Sequence, residues 1–245
     1  MKRKVHQYHS SKSSQQGTVL IILMLMMVLA LSTALLTGIS TNKTKLVQSE
    51  KTLRHLAEAK SAIIAYARLS DPDQTATGLQ QRYLPCPDTD GDGLEETPCG
   101  TTAATGWLPW QTLGLPPYKD ASGYCFRYYV SGAYKQGASS PPLISALPPG
   151  EFTLRDLNQL VSNDVVAIIF APNEMVANQN RRTTPGILTE CGSTGAGAPI
   201  NRNQNLLDSI AGENNATTPD FIVAPEGTSD TFNDIANWIL SAELL

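Results

Sequence analysis

The sequence predicts an α+β chain: a long N-terminal helix, membrane half plus amphipathic half, packed on a small antiparallel sheet with a loop-rich, disulfide-bonded head. Three observations predict it. The stretch TVLIILMLMMVLALSTALLTGI, Thr18 to Ile39, runs 22 residues without a charge, and at about 1.5 Å rise per residue that length crosses a bilayer core. From Thr41 to Ala67 there is neither proline nor glycine, so the helix continues without a breaker. After it come short stretches rich in β-branched and aromatic residues, set among Asn, Thr, Ser, Gly and Pro, with four cysteines among them.

Taken in order, MKRKVHQYHSSKSSQQG (1–17) is a basic leader with Lys2, Arg3, Lys4 and Lys12 and no acid. The positive-inside rule keeps such an end cytoplasmic and exports the chain beyond the apolar segment. Residues 18–39 are the transmembrane half of the helix and 40–69 its amphipathic half, where Leu46, Leu53, Leu56, Ile63 and Ala67 recur at spacings of three, four and seven. Residues 70–245 form the periplasmic head, entered through the turn-rich SDPDQTATG (Ser70–Gly78). Strands are expected at Tyr124–Val130, Asp164–Ala171 and Asp220–Ala224. Helical spacing is read at Thr153–Val161, with Thr153 as N-cap, and at Asn205–Gly212, ending at its glycine. Asn233–Leu245 fits either a helix or a strand. In GWLPWQTLGLPP, Trp107 and Trp110 are read as caps of the core, because tryptophan is highly buried on average.

The junction QQGTVLIILMLMM, a basic leader ending in Gly17 directly before an apolar helix, resembles the type IV pilin and type II secretion pseudopilin superfamily. The resemblance implies cleavage after Gly17 by a prepilin peptidase, methylation of the new N-terminus at Thr18, and packing of the helix into a filament. It implies as partners other pilin or pseudopilin subunits, the peptidase, an inner-membrane assembly platform and membrane lipid. The protein would sit in the inner membrane as a single-pass protein, N-terminus cytoplasmic and head periplasmic, and in the filament after assembly. Most family members carry a glutamate five residues after the cut, where this chain has Ile22. A buried terminal amine without that partner is costly, so the departure implies a minor, priming or capping subunit. LPCPDTDGDG with the tryptophan stretch also looks like the head of prepilin-like proteins of unassigned role. Two other starts compete: a plain signal anchor, and a secretory signal cut at Ser32-Thr33-Ala34.

Cys86, Cys99, Cys125 and Cys191 are an even number in an exported domain, which implies two disulfides. Three pairings are open, and Cys86–Cys99 with Cys125–Cys191 is the economical one. No CxxC exists to suggest zinc. Within CPDTDGDGLEETPC, Asp88, Asp90 and Asp92 take positions one, three and five of an EF-hand-like loop. Gly93 makes the turn at six, Leu94 offers a carbonyl at seven, and Glu96 stands at nine. Position twelve is Cys99, so a water, Glu95 or a distant residue must complete the cage. Calcium is the expected structural cofactor, held in the weak extracellular range of about 10⁻⁴–10⁻³ M. Related pseudopilins hold calcium in their heads, and an empty acidic turn is the alternative.

Familiar catalysis is not assembled. The histidines are His6, His9 and His55, so the head beyond Ala67 has none, and no Ser-His-Asp or Cys-His set can form there. Carboxylate pairs among Asp120, Glu151, Asp156, Asp164, Glu174 and Asp220 carry no pattern that selects one. Loss of the leader's four cations takes the formal net charge from -4 to -8. That sign disfavours nucleic acid, despite a small basic spot at Arg181 and Arg182. The expectation is a structural subunit, not an enzyme. The alternative is a signal-anchored or secreted, calcium-stabilised periplasmic hydrolase or carbohydrate-binding domain.

Overall fold

The computed structural model describes residues 16–69, 83–135, 147–157, 159–176, 179–195, 197–210, 212–217, 219–224 and 231–245. Most of the leader (1–15) and the exit turn (70–78) lie outside them. The chain divides into two units, Met1–Val47 and Gln48–Leu245. Helix α1 (Gln16–Leu69) has its side chains described over 19–32 and 47–69. In the first stretch the apolar side chains from Val19 to Leu31 are exposed. No helix among the described residues is long and apolar enough to cross a membrane.

In the second unit α1 is held by one stripe. Thr52, His55, Leu56, Ala59, Ile63 and Ala67 are buried, at the three-and-four spacing that puts them on one face. Leu53 is off that face and exposed, and Leu46 lies outside the described side chains. The stripe joins Tyr128, Val130, Ile169, Ala171 and Ile239 in one core. Polar pins fix the helix along its length. The His55 ring stacks on Tyr118 at 4.1 Å, Lys60 pairs with Glu243 at 2.7 Å, and the Tyr66 hydroxyl donates to Glu95 at 2.8 Å.

The sheet contains β1 (Ala104–Trp107), β2 (Arg127–Val130), β3 (Phe152–Asp156), β4 (Gln159–Ala171), β7 (Asp220–Val223) and β8 (Ile235–Leu240). A separate hairpin pairs β5 (Ser209–Ile210) with β6 (Glu213–Asn214). Long β4 is the organiser: Ala167–Phe170 pair with β2 on one edge and with β8 on the other, while its first half pairs with β3. Both faces are covered, which explains the unbroken apolar run VVAIIFA. Ile169 and Ala171 turn toward the helix core, and Ile168 and Phe170 join Trp107, Tyr129, Phe152 and Phe221 in a second core. A register shift between Val165 and Ala167 re-aims the pleat between them.

Several expectations are corrected. The plan of a long N-terminal helix on a small antiparallel sheet is overturned. No helix among the described residues is membrane-spanning, and the sheet is six-stranded and mixed because β7 runs parallel to β3. Thr153–Val161 is not helical: it crosses a hairpin in which Asp156 pairs with Gln159, so its leucine spacing belongs to two strands. Asn205–Gly212 is not a helix either. A 3-10 turn at Asn203–Asn205 leads to buried Leu206 and Leu207 and then to the β5–β6 hairpin, where Gly212 takes a φ of 90°. Strand geometry wins at the C-terminus, where Ile235 and Ile239 face one core and Ala236, Trp238 and Leu240 the other.

Candidate metal centre

The structure joins Cys86 to Cys99 with a Cα–Cα separation of 5.8 Å, and Cys125 to Cys191 at 5.5 Å. Both separations are ordinary for disulfides. Cys86 is fully buried and Cys99 half-buried, so the acidic loop starts from the core and is tied back to it through the disulfide. At the far end, buried Lys135 donates to the carbonyls of Cys99 and Gly100.

Asp88 opens the loop as a main-chain bridge to Trp107 in β1: its N–H donates to the Trp107 carbonyl at 3.1 Å and its carbonyl accepts the Trp107 N–H at 2.5 Å. Its side chain is buried and organises the turn. Oδ1 accepts the N–H of Asp90 at 3.0 Å and of Gly91 at 2.5 Å, and Oδ2 accepts the N–H of Gly93 at 2.7 Å. The sequence bends this way because two glycines let it. Gly91 (φ 82°) lies so close to the 189–192 turn that a Cβ would sit 2.3 Å from the Gly192 nitrogen. At Gly93 (φ 95°) a Cβ would meet the Trp110 ring at the same separation of 2.3 Å.

Carboxylate oxygens of Asp88, Asp90 and Glu96 lie within 4.8 Å of one another. Three oxygens mutually 4.8 Å apart would stand about 2.8 Å from a shared centre, a few tenths of an ångström beyond the calcium–oxygen range of about 2.3–2.6 Å, so a cation would draw the three slightly inward to touch them all. All donors are hard oxygens, which suits calcium or magnesium over zinc or copper. Glu96 also accepts the Thr89 N–H at 2.6 Å. Burial pushes the Asp88 carboxyl up to about 7, against the lowering effect of the Gly91 and Gly93 amides, and the charges of Glu96 and Asp92 add to the rise. Glu96 is raised as well, chiefly by burial. Crowded carboxylates of this kind are relieved by a cation.

Two members of the expected ligand set stand apart. Asp92 is exposed and outside the cluster, with its Oδ1 accepting the N–H of exposed Leu94. Glu95 is turned away from the cluster: its carboxylate accepts the Tyr66 hydroxyl and the Cys86 N–H. Of the processing pair, Gly17 and Thr18 have helical backbone, and the Thr18 side chain lies outside those described.

Trp107 is fully buried, with the Arg127 guanidinium 4.4 Å from its ring, and Trp110 is half-buried against the same core. Arg181 is no solvated spot: it is buried over Tyr124 and donates to the carbonyls of Asn173, Glu174, Asn205 and Leu206, while Arg182 is exposed. Asp120 is a structural acceptor for the N–H groups of Ser122, Tyr124 and Asn173. Buried Asp208 and Asp234 have no motif linking them in the sequence, and only the fold brings them together. No family model, curated protein or solved structure matches the chain.

Proposed function

We propose that the chain is a minor pilin or pseudopilin subunit of a type IV pilus or type II secretion-like filament. Its work is structural, with priming or capping of assembly as its role. The observation that carries this reading is the Gly17–Thr18 junction: a basic leader meets an uncharged run whose described apolar side chains all stand exposed, as they do where lipid or neighbouring subunits are the cover. Ile22 in place of the usual glutamate favours the minor position. The two disulfides suit a periplasmic head. On this reading the N-terminal segment rests in the inner membrane before assembly and in the filament afterwards, and its partners are other pilin subunits, the prepilin peptidase, the assembly platform and lipid.

The head is read as calcium-stabilised. Asp88, Asp90 and Glu96 would supply carboxylates, and water and main-chain carbonyls would complete the six to eight oxygens calcium takes. The ion's contribution is to neutralise the crowded loop and hold its ends, without a catalytic part.

The test is the mass of the intact protein, and its N-terminus, when expressed with and without a prepilin peptidase. A chain starting at Thr18 only when the peptidase is present supports the proposal. Met1 in both samples overturns it, and a start at Leu35 assigns the segment to ordinary signal peptidase.

One observation favours the carbohydrate-binding alternative. A cleft of about 410 Å³ is lined by Gln179, Gln204, Asp208, Ser209, Asn214 and Thr231, the amide, hydroxyl and carboxyl groups that recognise polyols. Retention of the full chain on immobilised polysaccharide, lost in Gln204→Ala, would favour that reading.

A further inference from the structure

Asp234 immediately precedes β8, and Asp208 immediately precedes the β5–β6 hairpin. The two are 3% and 2% exposed. Their side chains are cross-braced. Asp234 Oδ2 accepts the Asp208 N–H at 2.8 Å and the Asn215 side-chain amide at 3.0 Å, while Asp208 Oδ2 accepts the Asn233 N–H at 2.7 Å. Asp208 and Asn215 bracket the hairpin and are themselves joined, the Asn215 N–H donating to the Asp208 carbonyl at 3.0 Å. One carboxyl therefore grips both sides of the hairpin root. Asn215 carries the grip onward: its Oδ1 accepts the Ile222 N–H of β7 and its carbonyl accepts the Tyr129 hydroxyl of β2.

The remaining oxygen is the informative one. Asp234 Oδ1 is buried and has no donor. An ionised carboxylate with such an oxygen carries a buried charge that nothing relieves, at a cost of several kcal/mol, whereas a proton on that oxygen removes the charge and leaves only a neutral hydroxyl. The charged and titratable groups facing the pair are Arg181, from the segment after β4, and Tyr129, from β2. Neither replaces the proton. Arg181 spends its guanidinium on main-chain carbonyls and on Gln179 Oε1, and burial keeps the Tyr129 hydroxyl neutral. On the far side, Ser49 and Leu53 of α1 and Val223 of β7 line the groove that Asp234 borders, and none of them is charged.

We infer that Asp234 holds a proton on Oδ1 and that Asp234, cross-braced with Asp208, is a pH-sensitive staple for the β5–β6 hairpin: docked while the proton is held, loosened when it passes to solvent. Burial, and then the Asp208 charge, raise Asp234 well above the ordinary carboxylate range, and burial raises Asp208 too. The docked state keeps a proton that the open state, with carboxyls near 4, has released, so opening becomes easier as pH rises from about 4 through the raised value. Across that window the opening equilibrium grows about tenfold per pH unit for one proton. Asp208 also lines the polar cleft beside Gln179 and Gln204, so opening of the hairpin reshapes that cleft.

The test is amide hydrogen exchange of the full chain between pH 5 and 7, corrected for intrinsic exchange, with β4 amides as internal reference. Protection of the hairpin amides should fall with rising pH relative to β4, by up to about tenfold per pH unit for one proton. It should become pH-independent in Asp234→Asn, whose side-chain amide takes the place of the protonated oxygen and keeps the acceptor at Oδ2. Hairpin protection that tracks intrinsic exchange alone in the wild type overturns the inference, as does the same pH dependence in Asp234→Asn. If that variant fails to fold, the wild-type profile alone decides between the two outcomes.

Discussion

Calcium should stabilise this chain by an amount that depends on Asp90 and not on Asp92, although the two are sequence equivalents in a DxDxDG loop. A ligand that binds only the folded state adds RT ln(1 + [L]/Kd) to stability. With a Kd of about 10⁻⁴–10⁻³ M, 10 mM calcium contributes about 1.4–2.7 kcal/mol. At a urea m-value of about 2 kcal/mol/M, the midpoint moves by about 0.7–1.4 M. The structure assigns that gain to three carboxylates within 4.8 Å, those of Asp88, Asp90 and Glu96, while Asp92 is exposed and serves the Leu94 N–H. Urea unfolding in calcium and in EDTA, for the wild type, Asp90→Asn and Asp92→Asn, measures it. Asp90→Asn should lose most of the midpoint shift and Asp92→Asn should keep it. Equal shifts in the wild type and Asp90→Asn would refute the assignment and leave an acidic turn without a metal.

Three further outcomes are expected. Opening the longer disulfide loop with Cys125→Ser and Cys191→Ser should cost more in chemical denaturation than opening the shorter with Cys86→Ser and Cys99→Ser: about 4 against about 3 kcal/mol by chain entropy, for separations of 66 and 13 residues. Ile63→Ala should cost about 2–5 kcal/mol, since Ile63 is fully buried between α1 and the sheet, whereas Leu53→Ala, at an exposed site, should change the denaturation midpoint little. In EDTA and in the Asp234→Asn background, stability should fall as pH rises from about 4 toward 7, because Asp88 is raised to about 7 when folded and holds a proton the unfolded chain has lost. Asp88→Asn should remove its share of that slope, at most about 1.4 kcal/mol per pH unit, while Glu96 and Asp120, also raised by burial, keep theirs.

Legibility in the sequence depends on whether a signal is local. The helix stripe was readable at Leu56, Ile63 and Ala67 because three-and-four spacing is a property of the segment itself. Ala59 is as buried as they are, on the same face between Leu56 and Ile63. The central strands showed as apolar runs because both their faces are covered. Thr153–Val161 failed because a tight hairpin between two strands places leucines at helical intervals, with Leu154 buried and Leu160 exposed. The parallel docking of β7 on β3 had no local signature, since the partners lie more than sixty residues apart, as Thr153 and Asp220 do. The acidic loop divided in the same way. Its aspartates were found by their pattern, but only the fold separates Asp90, which faces Asp88 and Glu96, from Asp92, which does not.

The two disulfides converge on the same short loop, and that convergence links covalent chemistry to ligand geometry. Cys86–Cys99 closes the loop, while Cys125–Cys191 anchors the turn behind it, where the Cys191 N–H donates to the Gly91 carbonyl at 3.0 Å and the Thr189 hydroxyl to the Asp90 carbonyl at 2.6 Å. Gly91 and Gly192 approach so closely that a Cβ on Gly91 would sit 2.3 Å from the Gly192 nitrogen, so the two loops are packed backbone to backbone. Three carboxylates that repel one another will not stay gathered in a free segment of this length, so the order of the site has to be imposed from outside it. One bridge fixes its ends and the other fixes its back. Reduction of the second bridge, far from the acids in sequence, should therefore weaken cation binding as surely as reduction of the first, and calcium titrated into a Cys125→Ser/Cys191→Ser variant would measure that coupling.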